Sequence, residues 1–201
     1  KRSQQILKTV MPTSVANELQ SSGKVRSRRY DDVAIFICDL VGFTSFCEKN
    51  DPELVVETLQ ALVEKFENTF EEFGLEKIKT VGDAIVAVAG LSSHTTSPIK
   101  SCVDCAHKIR EIANSASIPW NLHLGIHSGS LVAGTIGTKT VQFDILGKTV
   151  NVAFNICDIS EANQILISSE AWMTARNEIK VKSIGLKRLK SGQDIEMLEC
   201  I

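Results

Sequence analysis

Val33-Ala34-Ile35-Phe36-Ile37-Cys38-Asp39-Leu40-Val41-Gly42-Phe43-Thr44 is the stretch on which the reading of this chain turns. Six consecutive apolar residues mark a central, buried strand. Asp39 ends that strand, and Gly42 opens a turn into a helix start. A carboxylate at the end of a buried strand is costly unless something answers its charge. A second one, Asp83, stands at the tip of a later strand pair, Lys77-Ile78-Lys79-Thr80-Val81-Gly82-Asp83-Ala84-Ile85-Val86. Two carboxylates delivered by neighbouring strand ends suit a pair of divalent cations, and such a pair suits chemistry on a phosphate chain. Taken singly, each aspartate is also an ordinary turn residue.

The 201 residues suit one domain with a core of its own. A hydrophobic content of 43% and a charged content of 23% are those of a soluble globular chain. The net charge of -2 argues against bulk attraction to nucleic acid or to an anionic membrane. No apolar run approaches the ~18 residues of a membrane span. The six cysteines fall in apolar patterns, and Cys102-x-x-Cys105 has no second pair to complete a zinc site, so reduced, structural thiols and a cytoplasmic setting are expected. His94, His107, His123 and His127 lack metal-ligand spacing, and Trp120 and Trp172 read as packing anchors.

Outward from the first stretch, residues 1–30 read as a connecting helix (Ile6, Leu7, Val10, then Val15, Leu19 beyond Pro12) and a basic, solvated linker. Residues 31–201 read as the domain proper. Asn50-Asp51-Pro52-Glu53 starts a helix with proline at its first position. Two strands meet at Gly82-Asp83, Pro98 starts a second helix, and 120–127 alternates as a strand. Residues 131–136 and 140–146 read as two extended arms around Gly137, followed by a third helix from Thr149, a strand, a short helix and a last strand. The expected fold is α+β: a ferredoxin-like βαββαβ core, an antiparallel sheet with helices on one face, and a C-terminal extension.

Four segments, Phe36-x-Cys-Asp39-Leu-Val-Gly-Phe-Thr44, Lys79-Thr-Val-Gly-Asp83-Ala, Gly125-Ile-His-Ser-Gly129 and Phe143-Asp144-Ile-Leu-Gly-x-Thr-Val-Asn151-Val-Ala, together resemble the class III nucleotide cyclase catalytic domain in order and spacing. The resemblance implies that Asp39, Asp83 and the Leu40 carbonyl hold two Mg²⁺ or Mn²⁺ ions. It implies that the Leu40-Val41-Gly42-Phe43-Thr44 backbone cradles phosphates, as a glycine turn into a helix start would. Lys79 and Asp144 would read the base. Adenine offers an acceptor at N1 and a donor at N6, which a lysine and an aspartate complement. Guanine presents the opposite groups at those places, and family members acting on it carry Glu and Cys-like residues instead. The resemblance therefore implies ATP as substrate, cyclic AMP and pyrophosphate as products, and a site shared between two subunits of a homodimer.

Asn151 would position the ribose. Asn155, one turn on, departs from the family, which places a transition-state arginine there. Losing such a group costs ~10²–10³ or more in rate. Lys148 or a late lysine would have to supply the charge. Within Leu186-Lys187-Arg188-Leu189-Lys190, Lys187 is the first choice for the triphosphate and Lys190 the reserve. A slow adenylyl cyclase is the leading expectation, with Asn155→Arg expected to raise kcat. The alternative is a degenerate domain that binds nucleotide or dimerises without turnover. A heterodimer with an arginine-bearing relative is a variant of the first, and a regulatory region upstream is expected. A palm-like polymerase or cyclic-dinucleotide synthase stands behind both, since its Gly-Gly-Asp/Glu-Glu-Phe signature is absent.

Overall fold

Residues 33–38 lie at the centre of a mixed sheet, each no more than 1% exposed. The structure is a computed structural model that describes residues 6, 7, 9–92, 95–137 and 139–201. The strand β1 (Arg28–Leu40) is followed by α2 (Phe43–Lys49) and α3 (Pro52–Glu72), the hairpin strands β2 (Leu75–Val81) and β3 (Ala84–Ala89), α4 (Pro98–Asn114) and β4 (Leu122–Ile136), with α1 (Thr13–Ser22) preceding them all. These strands lie in the order β2-β3-β1-β4, with every neighbouring pair antiparallel. That is the expected βαββαβ core. The extension comprises β5 (Gln142–Leu146), α5 (Lys148–Ile159), β6 (Ile165–Ser168), α6 (Ser169–Met173), β7 (Val181–Arg188) and β8 (Asp194–Cys200). It continues the sheet as β4-β6-β8-β7, with β6 parallel to β4.

Alternation along β1 decides what covers each face. Ala34, Phe36 and Cys38 pack under α3 and α4, with Leu62, Phe66, Phe70, Cys105 and Ile109. Val33, Ile35 and Ile37 face the other way and pack with Val150, Ala153 and Cys157 of α5 and Val15 of α1. Helices therefore cover both faces, where one had been expected. The reason is in the run itself: a strand apolar on both sides needs cover on both sides. Helix α1, expected as a connecting helix, packs on the sheet through Val15, which is buried along with Ala16.

Two glycines set close approaches. A Cβ on Gly125 would stand 2.4 Å from the Cys157 nitrogen, so α5 lies directly on β4 there. Gly137, at φ 101°, follows β4 at the loop to β5, where a Cβ would meet the Thr140 carbonyl at 2.1 Å. Residues 131–136 are thus not a separate arm but the far half of β4, paired with β5 from Val132↔Leu146 to Ile136↔Gln142. The β1–β4 register shifts between Tyr30 and Val33. Beyond that bulge the hairpin lies over the sheet, because Phe143 and Ile145 pack in one cluster with Ile35, Val86 and Val88.

The strand β7 is absent from the sequence reading, which singled out Leu186–Lys190 only for its lysines. It is an edge strand, paired only with β8. Most of its residues are exposed, Leu186 to 72%, and Gly185 interrupts its register. Such a strand shows no apolar alternation to detect.

Candidate active site

Asp39 and Asp83 come together at one end of the sheet. Asp39 closes β1, and Asp83 sits in the tight turn between β2 and β3. Both carboxylates accept from one donor, the backbone N–H of Leu40, at 3.1 Å for Asp39 and 3.2 Å for Asp83. Burial, and then the hydrogen bond and charge of Asp83, raise the Asp39 pKa to about 7, against a smaller opposing pull from the Leu40 N–H. Two acidic groups so close, with one shared donor, leave negative charge that a divalent cation would neutralise. The donor set is hard oxygen, as Mg²⁺ or Mn²⁺ prefers. Among the described residues no group of three or more His, Cys, Asp and Glu side chains gathers to hold a metal. The pair would therefore draw further ligands from backbone or substrate oxygens.

The turn beyond Asp39 is built as expected. Gly42 takes a left-handed conformation, φ 78°, immediately before α2. The first N–H to bond back along this helix is that of Phe46, to the Gly42 carbonyl at 3.1 Å. The N–H groups of Phe43, Thr44 and Ser45 therefore have no partner within the helix. Phe43 and Phe46 hold the turn against Trp120, with ring centroids 6.0 and 5.0 Å away, so this indole is a packing anchor.

Lys79 and Asp144 also meet. The Lys79 ammonium lies 2.8 Å from each Asp144 oxygen, bridging β2 and β5. The Asp144 carboxylate accepts besides from the Ile145 N–H at 2.8 Å. Their side chains are 23% and 16% exposed, so the pair is partly withdrawn from water yet reachable.

Asn151 and Asn155 lie one turn apart on α5, but the Asn155 amide is engaged. It donates to the Asn151 carbonyl at 2.7 Å and accepts from the Lys190 N–H at 2.9 Å. The Lys190 ammonium pairs with Asp158 on the same helix. Lys187 lies on β7, exposed and in register with Ile195. Of the two late lysines, Lys190 is the one whose ammonium contacts α5. Reading the sequence missed Asp158 and this contact, which joins residues 32 and 35 positions apart and leaves no local signature.

The histidines are tied into the scaffold. His123 donates from Nδ1 to the Ser160 carbonyl at 2.7 Å, His127 Nδ1 lies 2.7 Å from Ser168 Oγ, and His107 Nδ1 accepts from Arg110 at 3.0 Å. Burial lowers the His127 pKa, against a smaller opposing pull from the Glu170 charge. His94 lies outside the described residues. No helix among the described residues is long and apolar enough to cross a membrane.

Fold, motif order and the paired carboxylates define a nucleotide cyclase domain, and residues 25–198 match the family model of the adenylate and guanylate cyclase catalytic domain: the chain belongs to that family. Among curated relatives, the soluble guanylate cyclase gcy-31 of Caenorhabditis elegans is 30% identical over 98% of this chain and 29% of its own length. An adenylate cyclase of Mycobacterium tuberculosis is 28% identical over 93% of this chain and 45% of its own. The chain thus spans less than half the length of these relatives. The guanylate cyclase domain of RhGC from Catenaria anguillulae, solved in complex with GTP, superposes with a TM-score of 0.83 at 22% identity, over 87% of this chain and 98% of that one. Relatives of both substrate classes are present, so the choice between ATP and GTP rests on this chain's own residues.

Proposed function

We propose that the chain is an adenylyl cyclase catalytic domain, converting ATP to 3',5'-cyclic AMP and pyrophosphate. The observation that carries this reading is the Lys79–Asp144 pair, a donor and an acceptor side by side on two strands. Lys79 donates to N1 of adenine and Asp144 accepts from its N6 amino group. Guanine reverses both groups, and each buried mismatch costs about 1–3 kcal/mol.

The rest of the chemistry is in-line displacement. The ribose 3'-oxygen passes its proton to solvent water and bonds to the α-phosphorus, while the bond from that phosphorus to the bridging oxygen of the β-phosphate breaks and pyrophosphate departs with the electron pair. Backbone N–H groups at Phe43 and Thr44 hold phosphate oxygens, and Asn151 orients the ribose. Two Mg²⁺ or Mn²⁺ ions on Asp39, Asp83 and the Leu40 carbonyl would lower the pKa of the 3'-hydroxyl and offset charge on pyrophosphate.

The site is completed by a second copy of the chain. Val132 and Leu146, partners across β4 and β5, are 42% and 56% exposed, with Ile136 and Val141 beyond them, and this apolar arm suits a two-fold contact. ATP as substrate places the domain in the cytoplasm, with a regulatory region joined through α1.

A second reading, nucleotide binding without turnover, draws on the engaged, neutral Asn155. Purified protein with ATP or GTP and Mn²⁺, followed by chromatography, separates the two. Cyclic AMP that vanishes on Asp39→Ala supports the cyclase. Bound nucleotide with no cyclic product refutes it in favour of the second reading.

A further inference from the structure

The turn between β7 and β8 is fastened to α5 by three contacts. Leu189, 3% exposed, packs with Val152 and Ile156 of the helix. The Lys190 N–H donates to Asn155 Oδ1, and the Lys190 ammonium meets Asp158. The turn itself is closed by Leu189 N–H to the Gln193 carbonyl at 2.8 Å and Gly192 N–H to the Leu189 carbonyl at 2.9 Å. On α5, Asn151, Asn155 and Asp158 follow at i, i+4 and i+7, so they share one helix face. The only basic residue within the helix is Lys148 at its start. Lys148 lines a pocket with His127 and Glu170, and the cation beside Asn155 and Asp158 comes from the turn.

We infer that Asn155 is a positioning residue: its amide clamps the β7–β8 turn to α5, so that Lys190 supplies to the nucleotide's phosphates the positive charge that the neutral Asn155 does not carry. This rests on the reading of α5 as facing bound nucleotide. The geometry requires an oxygen at position 155, because the group to be held is an N–H. An arginine has no acceptor and would release the turn. Asp158 keeps the ammonium in place meanwhile. The pair is exposed, its side chains 77% and 43% accessible, and such pairs are weak. A triphosphate, with several charges against one carboxylate, would displace Asp158.

The test is a double-mutant cycle on the full chain with Asn155→Ala, Lys190→Ala and both. Two readouts are taken: hydrogen exchange at the residue-190 amide, and affinity for α,β-methylene-ATP with Mn²⁺, neither of which requires turnover. Asn155→Ala is expected to speed that exchange about tenfold and to weaken the analogue about as much as Lys190→Ala does. The double variant should be little weaker than Lys190→Ala alone. Asn155→Asp, which keeps the accepting oxygen, should retain the protection of the 190 amide. Unchanged exchange in Asn155→Ala, or losses of affinity that simply add, would overturn the inference. A wild-type chain that binds the analogue but forms no cyclic AMP refutes the cyclase reading alone and leaves the cycle interpretable. A chain that binds no nucleotide refutes both.

Discussion

The ammonium of Lys79 touches both oxygens of Asp144 at 2.8 Å, across 65 residues of chain and two strands that are not neighbours in the sheet. These side chains satisfy one another. If they read the base, Lys79→Glu with Asp144→Cys should lower the ratio of kcat/KM for ATP over GTP by ~10² or more. An unchanged ratio in a folded double variant would remove the base-reading role.

The paired carboxylates have a pH signature. Asp39 is held near 7 in the folded chain against an ordinary 3.8. Between those values the folded state keeps a proton that the unfolded state has lost, so stability should fall as pH rises through this window. The change is on the order of 1 kcal/mol once solvent screening of this half-exposed carboxylate is allowed for. Urea unfolding in EDTA at pH 4.5 and 7.5 measures it, and Asp39→Asn should flatten the difference. Stability that rises with pH in the wild type and not in the variant would contradict the shift.

Helix α5 rests on a glycine. With a Cβ at position 125 only 2.4 Å from the Cys157 nitrogen, Gly125→Ala must push the helix away or distort β4. Overpacking of this kind costs about 1–3 kcal/mol, and backbone as the obstructing group favours the upper end. A shift of the denaturation midpoint to lower urea, at unchanged slope, is the expected result.

The exposed arm predicts a quaternary effect. Leu146→Asp places a charge on the apolar strip opposite Val132. The proposed dimer should dissociate tenfold or more readily in the analytical ultracentrifuge, a weakening of about 1.4 kcal/mol. Specific activity should then rise with protein concentration where the wild type is flat.

Asn155→Arg was expected from the sequence to raise kcat. The clamp reverses that expectation. Any gain from the guanidinium is set against release of Lys190, so kcat should stay level or fall, with KM for ATP rising. A tenfold rise in kcat at unchanged KM would mean that the turn needs no fastening.

How much of this was legible depended on whether the signal was local. The β1 strand, the proline-led starts of α3 and α4 and the tight turn at Asp83 each announce themselves within a few residues. Strand-end positions already suggested that Asp39 and Asp83 meet, Lys79 beside Asp144 came only through resemblance, and the structure supplies both contacts. Cover on the second face of the sheet was implicit in 33–38, where consecutive apolar residues leave neither side for water. The strand β7 was hidden because one of its edges is open and five of its eight residues are exposed. The Asn155–Lys190 bond was hidden for another reason: an amide oxygen and a main-chain N–H can pair anywhere, and sequence carries no trace of which N–H folding brings near.

Among the described residues, one polar side-chain bridge joins the hairpin of β4 and β5 to β2, an edge strand of the sheet. A purine lodged between Lys79 and Asp144 would lengthen that bridge without severing it, becoming a rung between strand and hairpin. Choosing the right base and keeping the hairpin seated would then be one event, and a wrong base would leave the hairpin loose at the surface proposed for the dimer contact.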